Sequence, residues 1–443
     1  MRRALAVLLL STTTAAANGR APATNGVFFA PSDPHALWVR TTFGLLVSHD
    51  DGCTFNWLCE QNVGYGGQFD PKYAIAKDGA IFASTFTGLR VSRDGGCTFT
   101  TATADQPVGD PGRIADLWID ALDIGPTGEV WAATAESGKP NDVYRSTDNG
   151  ATFAPTGMQS PTIWWKSVRV APSDASRVYI TGYQVAGTFA DGGQMPPTAH
   201  FVTSTDDGAH WTESALAGVA YGSTPLVYVQ AVQPDAPDRA LVVSLGANPP
   251  SGDVLYRTTD GGTTFAQVLA TTDPIRDVVY RDAANVVVAT QAGGSFTSAD
   301  GGATFAPMAN PPQLACLGQK AGVLYGCGAN WDPDHKAVAK SADATTWDKV
   351  FRFVELAGPL ACPAGTPEHD VCAPLWPALQ AQFGATGSTC GVAPGDPVPV
   401  FDATTPVVKK SGCCDAGEGA PVGLAWAVAV GLALAKPRRR RAS

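Results

Sequence analysis

Short runs in which apolar and polar residues alternate fill this chain between residues 27 and 353, and helical periodicity is scarce away from the two ends. The first such runs are 27–30, 36–41, 45–49 and 54–60, each bounded by Gly, Pro, Asp or Asn, the punctuation of strands and turns. They fall into groups at 27–60, 73–103, 119–156, 166–214, 227–269, 275–308 and 314–353. Several groups open on one phrase, an apolar strand, a Pro/Asp turn and a second apolar strand. Examples are Val168-Arg169-Val170-Ala171-Pro172-Ser173-Asp174 before Val178-Tyr179-Ile180, and Phe28-Phe29-Ala30-Pro31-Ser32-Asp33. Whole units therefore recur, and the pattern predicts an all-β chain of repeated four-stranded sheets.

A second repeat marks one turn in each unit. The octet Ser/Thr-x-Asp-x-Gly-x-Thr-Phe/Trp starts at Ser48, Ser92, Ser146, Ser204, Thr258 and Ser298, with some variation at its later positions. A seventh copy, Ser341-Ala342-Asp343-Ala344-Thr345-Thr346-Trp347, lacks the glycine and one residue of spacing. The starts lie 44, 54, 58, 54, 40 and 43 residues apart, the period of a four-stranded propeller blade. Each residue type suits a hairpin turn. The Asp carboxylate accepts backbone N–H bonds, the hydroxyl joins them, glycine supplies positive φ, and the terminal aromatic plugs the turn into the sheet. The expectation is a single seven-bladed β-propeller in which Asp50, Asp94, Asp148, Asp206, Asp260, Asp300 and Asp343 are structural. The decayed seventh copy suggests that the last blade is held by other means, with Cys316 and Cys327 as candidates.

The octet resembles the Asp-box, or BNR repeat, of bacterial sialidases, sortilin-type receptors and several plant-cell-wall glycosidases. That resemblance implies turns between the third and fourth strands of each blade, peripheral and away from an axial ligand site.

Composition adds an address. The 48 Gly and 34 Pro among 443 residues fit a turn-rich β chain. Residues 1–17, with Arg2 and Arg3, an apolar stretch and then Ala15-Ala16-Ala17, read as a secretory signal peptide. At the other end, Cys413-Cys414 precede an apolar run at 422–435, then Lys436 and Arg438, Arg439, Arg440 and Arg441. Segment 412–443 resembles the C-terminal sorting signal of myxobacterial surface proteins. The resemblance implies cleavage by a sorting protease and a lipid anchor at Cys413 or Cys414, on the outer membrane at the cell surface. An ordinary single-pass anchor is the alternative. Segment 354–411 reads as a Pro/Gly/Cys-rich cap and linker.

The remaining eight cysteines, in an exported chain, predict disulfides. Cys316 and Cys327 fall opposite each other if Ala321-Gly322 turns a hairpin. Cys53 and Cys59 are too far apart along one extended strand to pair. Partners for Cys97, Cys362, Cys372 and Cys390 are not readable.

Without the two terminal segments, 23 basic residues stand against 38 acidic ones, a net of −15. Such a field disfavours nucleic acid and anionic lipid surfaces. No phosphate-cradling loop is present, no cofactor is expected, and a monomer is expected. Asp332, Asp334 and His335 form the nearest approach to a metal motif, but with no completing ligand no metal is expected.

Propeller ligands sit at one channel mouth, on the loops that begin each blade and those joining its second and third strands. The longer loops here are 185–199, 135–142, 246–253 and 328–335. Aromatic residues near the blade starts, Tyr65, Trp118, Trp164, Trp165, Tyr221 and Trp331, are candidates for contact with a glycan or protein ligand. Consecutive strand residues face opposite ways, so Trp164 and Trp165 must part company. Asp116 and Asp120, beside Trp118, are the candidate carboxylates if the chain is an enzyme. Sialidases carry an arginine triad and an Arg-Ile-Pro motif, and the motif is absent here. Asp-box cell-wall glycosidases use tandem propellers, and this chain has room for one. The resemblance therefore leaves two readings, a non-catalytic binding module and a glycoside hydrolase. Asp-box photosystem assembly factors are a further likeness, but their basic patch does not fit the acidic balance.

Overall fold

A computed structural model describes residues 20–387 apart from 68, 189–191 and 291–293. The leader, Cys390 and the tail with Cys413 and Cys414 lie outside the described residues. Seven antiparallel four-stranded meanders follow one another along the chain, and the protein is a seven-bladed β-propeller. In blade 1 the strands are Thr24–Phe28, Leu37–Thr41, Gly44–Ser48 and Phe55–Leu58, paired in that order. The innermost strands of the later blades are Tyr73–Ile75, Ile119–Ile124, Ile163–Ala171, Val227–Val232, Ile275–Tyr280 and Cys316–Lys320. Each packs beside its successor, and the first strand of blade 1 meets that of blade 7, so the ring closes around an axial channel.

The hydrophobic core is distributed between blades rather than gathered at one centre. The outward faces of adjacent sheets bury Phe82, Tyr144 and Phe153 between blades 2 and 3, and Trp131, Trp165 and Ile180 between blades 3 and 4. Sheet faces that are apolar on both sides are what a ring of stacked sheets requires.

The octets sit at the turns between third and fourth strands. At Ser146 the hydroxyl donates to Asp148 Oδ1 at 2.7 Å and accepts the Gly150 N–H at 2.8 Å. The Thr152 N–H donates to Asp148 Oδ1 at 2.9 Å. The same three bonds recur in the copies that start at Ser48, Ser92, Ser204, Thr258 and Ser298. Glycine is needed for two reasons at Gly150, where φ is +77° and a Cβ would stand 2.4 Å from the Phe82 ring of the preceding blade. Each turn thus wedges against its neighbour.

The seventh copy corrects the expectation of decay. Ser341 Oγ donates to Asp343 Oδ1 at 3.1 Å, and Ala344, at φ +65°, donates its N–H to Ser341 Oγ at 2.9 Å. One residue shorter, the turn keeps its bonding because Ala344 adopts the left-handed conformation that glycine adopts elsewhere. Cys316 and Cys327 also pair across the first two strands of this blade in a disulfide.

Ring closure uses the segment after blade 7. Leu356–Pro359 adds to blade 1 as a parallel fifth strand, outside Phe55–Leu58. Disulfides Cys97–Cys362 and Cys59–Cys372 then strap the chain to blades 2 and 1, and Cys53 is disulfide-bonded as well. The helix Trp376–Phe383 follows, setting Phe383 4.8 Å from Phe43, with Phe353 5.2 Å from the same ring. Under the strap, Glu368 is fully buried, accepting from Asn62 Nδ2 at 2.9 Å. Burial raises its pKa to about 7, against the pull of that hydrogen bond.

Candidate functional site

The channel mouth where the innermost strands begin is assembled by a repeated irregularity. In five blades the innermost strand slips register by one residue, and the extra residues are Asn25, Asp120, Lys166, Gln230 and Arg276. A bulge takes its residue out of strict alternation and re-aims the side chain. Extra residues of adjacent blades meet, as in the ion pair of Lys166 Nζ with Asp120 Oδ2. Lys72, preceding the innermost strand of blade 2, donates to the Asp120 and Lys166 carbonyls at 2.5 and 3.0 Å, with Asp120 Oδ1 3.8 Å away. Asn25 holds Arg40 Nε at 2.8 Å and Asp70 at 2.6 Å, and Asp70 clasps Arg20 through two bonds of 2.6 and 2.9 Å. The mouth therefore has a polar collar of fixed charges.

Beside the collar runs a ladder of aromatic rings across blades 2 to 4. Phe69, Phe86, Trp118, Trp164 and Tyr183 follow one another at centroid distances of 4.3, 4.9, 5.6 and 5.9 Å. Local structure explains each position. Phe86 occupies the tight turn joining the second and third strands of blade 2, where it is 45% exposed. Trp118 stands immediately before the innermost strand of blade 3, its backbone N–H held by Glu136 at 2.6 Å. Trp164 and Tyr183 are directly opposite in the first two strands of blade 4. Lys166 Nζ lies 5.0 Å from the Trp118 ring and ties the ladder to the collar.

Of the candidates read from sequence, Trp118 and Trp164 belong to this ladder. Trp165 does not. It turns to the opposite sheet face, is 2% exposed, and donates its indole N–H to the Met158 carbonyl at 3.1 Å. It is opposite Gly182, where a Cβ would stand 2.9 Å from its ring. Tyr65 packs with Phe28, Tyr73 and Leu360 between blades 1 and 2, and its hydroxyl is buried. Tyr221 and Trp331 are exposed on loops of other blades, and neither has a ring partner among the described residues. Phe69, Phe86 and Tyr183 were missed. Phe86 carried a usable signal, a large apolar residue at the tip of the short turn Thr85-Phe86-Thr87-Gly88.

The two candidate carboxylates are placed unlike an acid and base pair. Asp120 is buried in its ion pair with Lys166, whereas Asp116 is exposed and held by Arg113 at 2.9 Å. Asp334 accepts the Gln313 N–H at 2.9 Å, and Asp332 lies 3.7 Å from His335.

No protein-family model matches the chain, and no curated protein does. Solved structures similar to it include the GH74 xyloglucanase from Xanthomonas campestris, at TM-score 0.47 and 15% identity, covering 78% of this chain. The chain spans 61% of that enzyme's length. YCF48 from Cyanidioschyzon merolae is similar at TM-score 0.46 and 18% identity, over 70% of this chain and 97% of that one. A polysaccharide lyase of family PL25, an ulvan lyase, gives TM-score 0.42 and 12% identity over 74% and 93%. At these identities the likeness concerns the fold.

Proposed function

We propose that the protein is an exported, cell-surface-anchored propeller of the Asp-box type that binds polysaccharide without cleaving it. The observation that carries this reading is the aromatic ladder with its open Phe86 rung and its charged edge. A pyranose ring has an apolar C–H face and a rim of hydroxyls. The exposed Phe86 ring, backed by Trp118, suits the first, and a collar of fixed donors and acceptors suits the second. The leader-like N-terminus and the cysteine–apolar–arginine tail support display at the surface. The separate placement of the two candidate carboxylates, Asp120 buried beside Lys166 and Asp116 exposed beside Arg113, supports binding over hydrolysis, which needs two carboxyls flanking one glycosidic bond.

The test is a pull-down and calorimetry series of the purified protein against insoluble and soluble polysaccharides, run alongside a reducing-sugar assay. Binding without new reducing ends is expected. Trp118→Ala and Trp164→Ala should each weaken binding at least about tenfold, as truncation of a buried aromatic anchor does. Release of reducing ends that disappears in Asp120→Ala or Asp116→Ala would establish the hydrolase instead.

A further inference from the structure

The opposite end of the channel holds a second feature that the ladder does not use. Where the innermost strands of blades 3 to 5 end, a cavity of about 300 Å³ is lined by Asp123, Ile124, Arg169, Val170, Pro172 and Val232, with Pro126 at its edge. Arg169 forms no ion pair among the described residues. Its bonds are long ones to backbone carbonyls, Nε to Gln230 at 3.4 Å and Nη1 to Val168 at 3.3 Å. A guanidinium offers five donors in a planar fork, so this one retains most of its capacity. Asp123 is anchored by the Val170 N–H to Oδ2 at 2.9 Å, and a carboxylate has room for further donors.

We infer that this cavity is a second ligand site, for a small organic carboxylate that carries a hydroxyl or ammonium beside it, the class of α-hydroxy and α-amino acids. The ligand carboxylate meets the Arg169 fork, where bidentate geometry is available. Its neighbouring donor meets Asp123, which keeps the two negative groups from facing each other directly. Its side chain lies on the wall of Ile124, Pro172 and Val232. The volume sits at the small end of ligand cavities and admits a molecule of this size. Burial, opposed by the nearby Arg169, raises the Asp123 pKa. The site lies at the other end of the innermost strands from the ladder and stands whether or not the ladder binds glycan.

The experiment is a calorimetric and thermal-shift titration of the purified protein with lactate, glycine, alanine and leucine. Propanol and propylamine serve as probes that lack the carboxylate. At least one acid should bind saturably and the carboxylate-free probes should not. Arg169→Met, close in volume and uncharged, should weaken binding at least tenfold, and Phe86→Ala should leave it unchanged. Should Arg169→Met fail to fold, Arg169→Lys, which keeps the charge and loses the fork, should still weaken it several-fold. Absence of binding by all four acids at millimolar concentration, or undiminished binding in the folded Arg169 variant, would overturn the inference.

Discussion

The turns Thr41-Thr42-Phe43-Gly44 of blade 1 and Thr85-Phe86-Thr87-Gly88 of blade 2 are built alike and finished differently. In both, the threonine hydroxyl donates to the glycine carbonyl, at 2.8 and 2.7 Å, and a phenylalanine occupies the tip. Phe43 is 3% exposed because Phe353 and Phe383 of the C-terminal strap close over it, whereas Phe86 is 45% exposed among the ladder rings. An apolar turn tip on a propeller mouth has two uses, as a socket for the chain's own cap or as a platform for something else. What decides between them is where the strap reaches: among the described residues its rings cover the blade 1 turn and not the blade 2 turn.

The contrast can be broken most forcefully at the sealed turn. Phe43→Ala should cost about 3–5 kcal/mol by chemical denaturation, the usual loss for a buried phenylalanine, while Phe86→Ala should cost under about 1 kcal/mol. Equal losses would mean that Phe86 is core. Next in size is the strap itself. Replacing Cys59 and Cys372 together by serine should cost about 2–5 kcal/mol and expose Phe43 to solvent, visible as faster hydrogen exchange in the blade 1 turn but not in that of blade 2.

A smaller effect sharpens the same boundary through pH. The Glu368 carboxyl, raised to about 7 by burial, is protonated in the folded protein where it would be ionised in the unfolded chain. Its contribution to stability is therefore whole below about pH 4.3 and drains away as pH rises to about 7. Glu368→Gln should stabilise the protein at pH 8 by about 1–3 kcal/mol and flatten that slope, as thermal melts across pH would read. The octet carboxylates act in the opposite sense. Asp206, drawn down to about 2 chiefly by the His210 side chain, adds stability above about pH 3.9 that is lost in stronger acid. The smallest effect in energy is the most informative for function. Phe86→Ala should weaken polysaccharide binding about tenfold, near 1.4 kcal/mol, with the melting curve almost unmoved.

Much of the fold was legible because turn chemistry is local. A Ser or Thr, an Asp two residues on and a Gly two further on make the same three bonds in six turns, and a seventh copy without the glycine keeps them, so seven copies announced seven blades. The seventh misled only in that an alanine was not credited with positive φ. The alternation rule also separated Trp164 from Trp165 without structural help. The site was less legible because it is made between blades. Asp120 and Lys166 meet only because both are register slips in neighbouring strands, and a bulge leaves no mark in a single strand's residues. Phe86 stands in a two-residue turn, away from the blade starts that supplied the aromatic candidates. The strap was unreadable, since pairing Cys59 with Cys372 joins positions 313 residues apart.

That separation has a consequence in time. Synthesis delivers blade 1 before the other six and before the strand Leu356–Pro359, so the outer strand Phe55–Leu58 waits bare while those blades are made. A bare edge invites pairing with other chains, and Cys59 and Cys97 wait beside it as thiols. The most vulnerable form of this protein is the chain from which Leu356–Pro359 has yet to emerge. The strand that follows the seventh blade acts on arrival as the chaperone of the first.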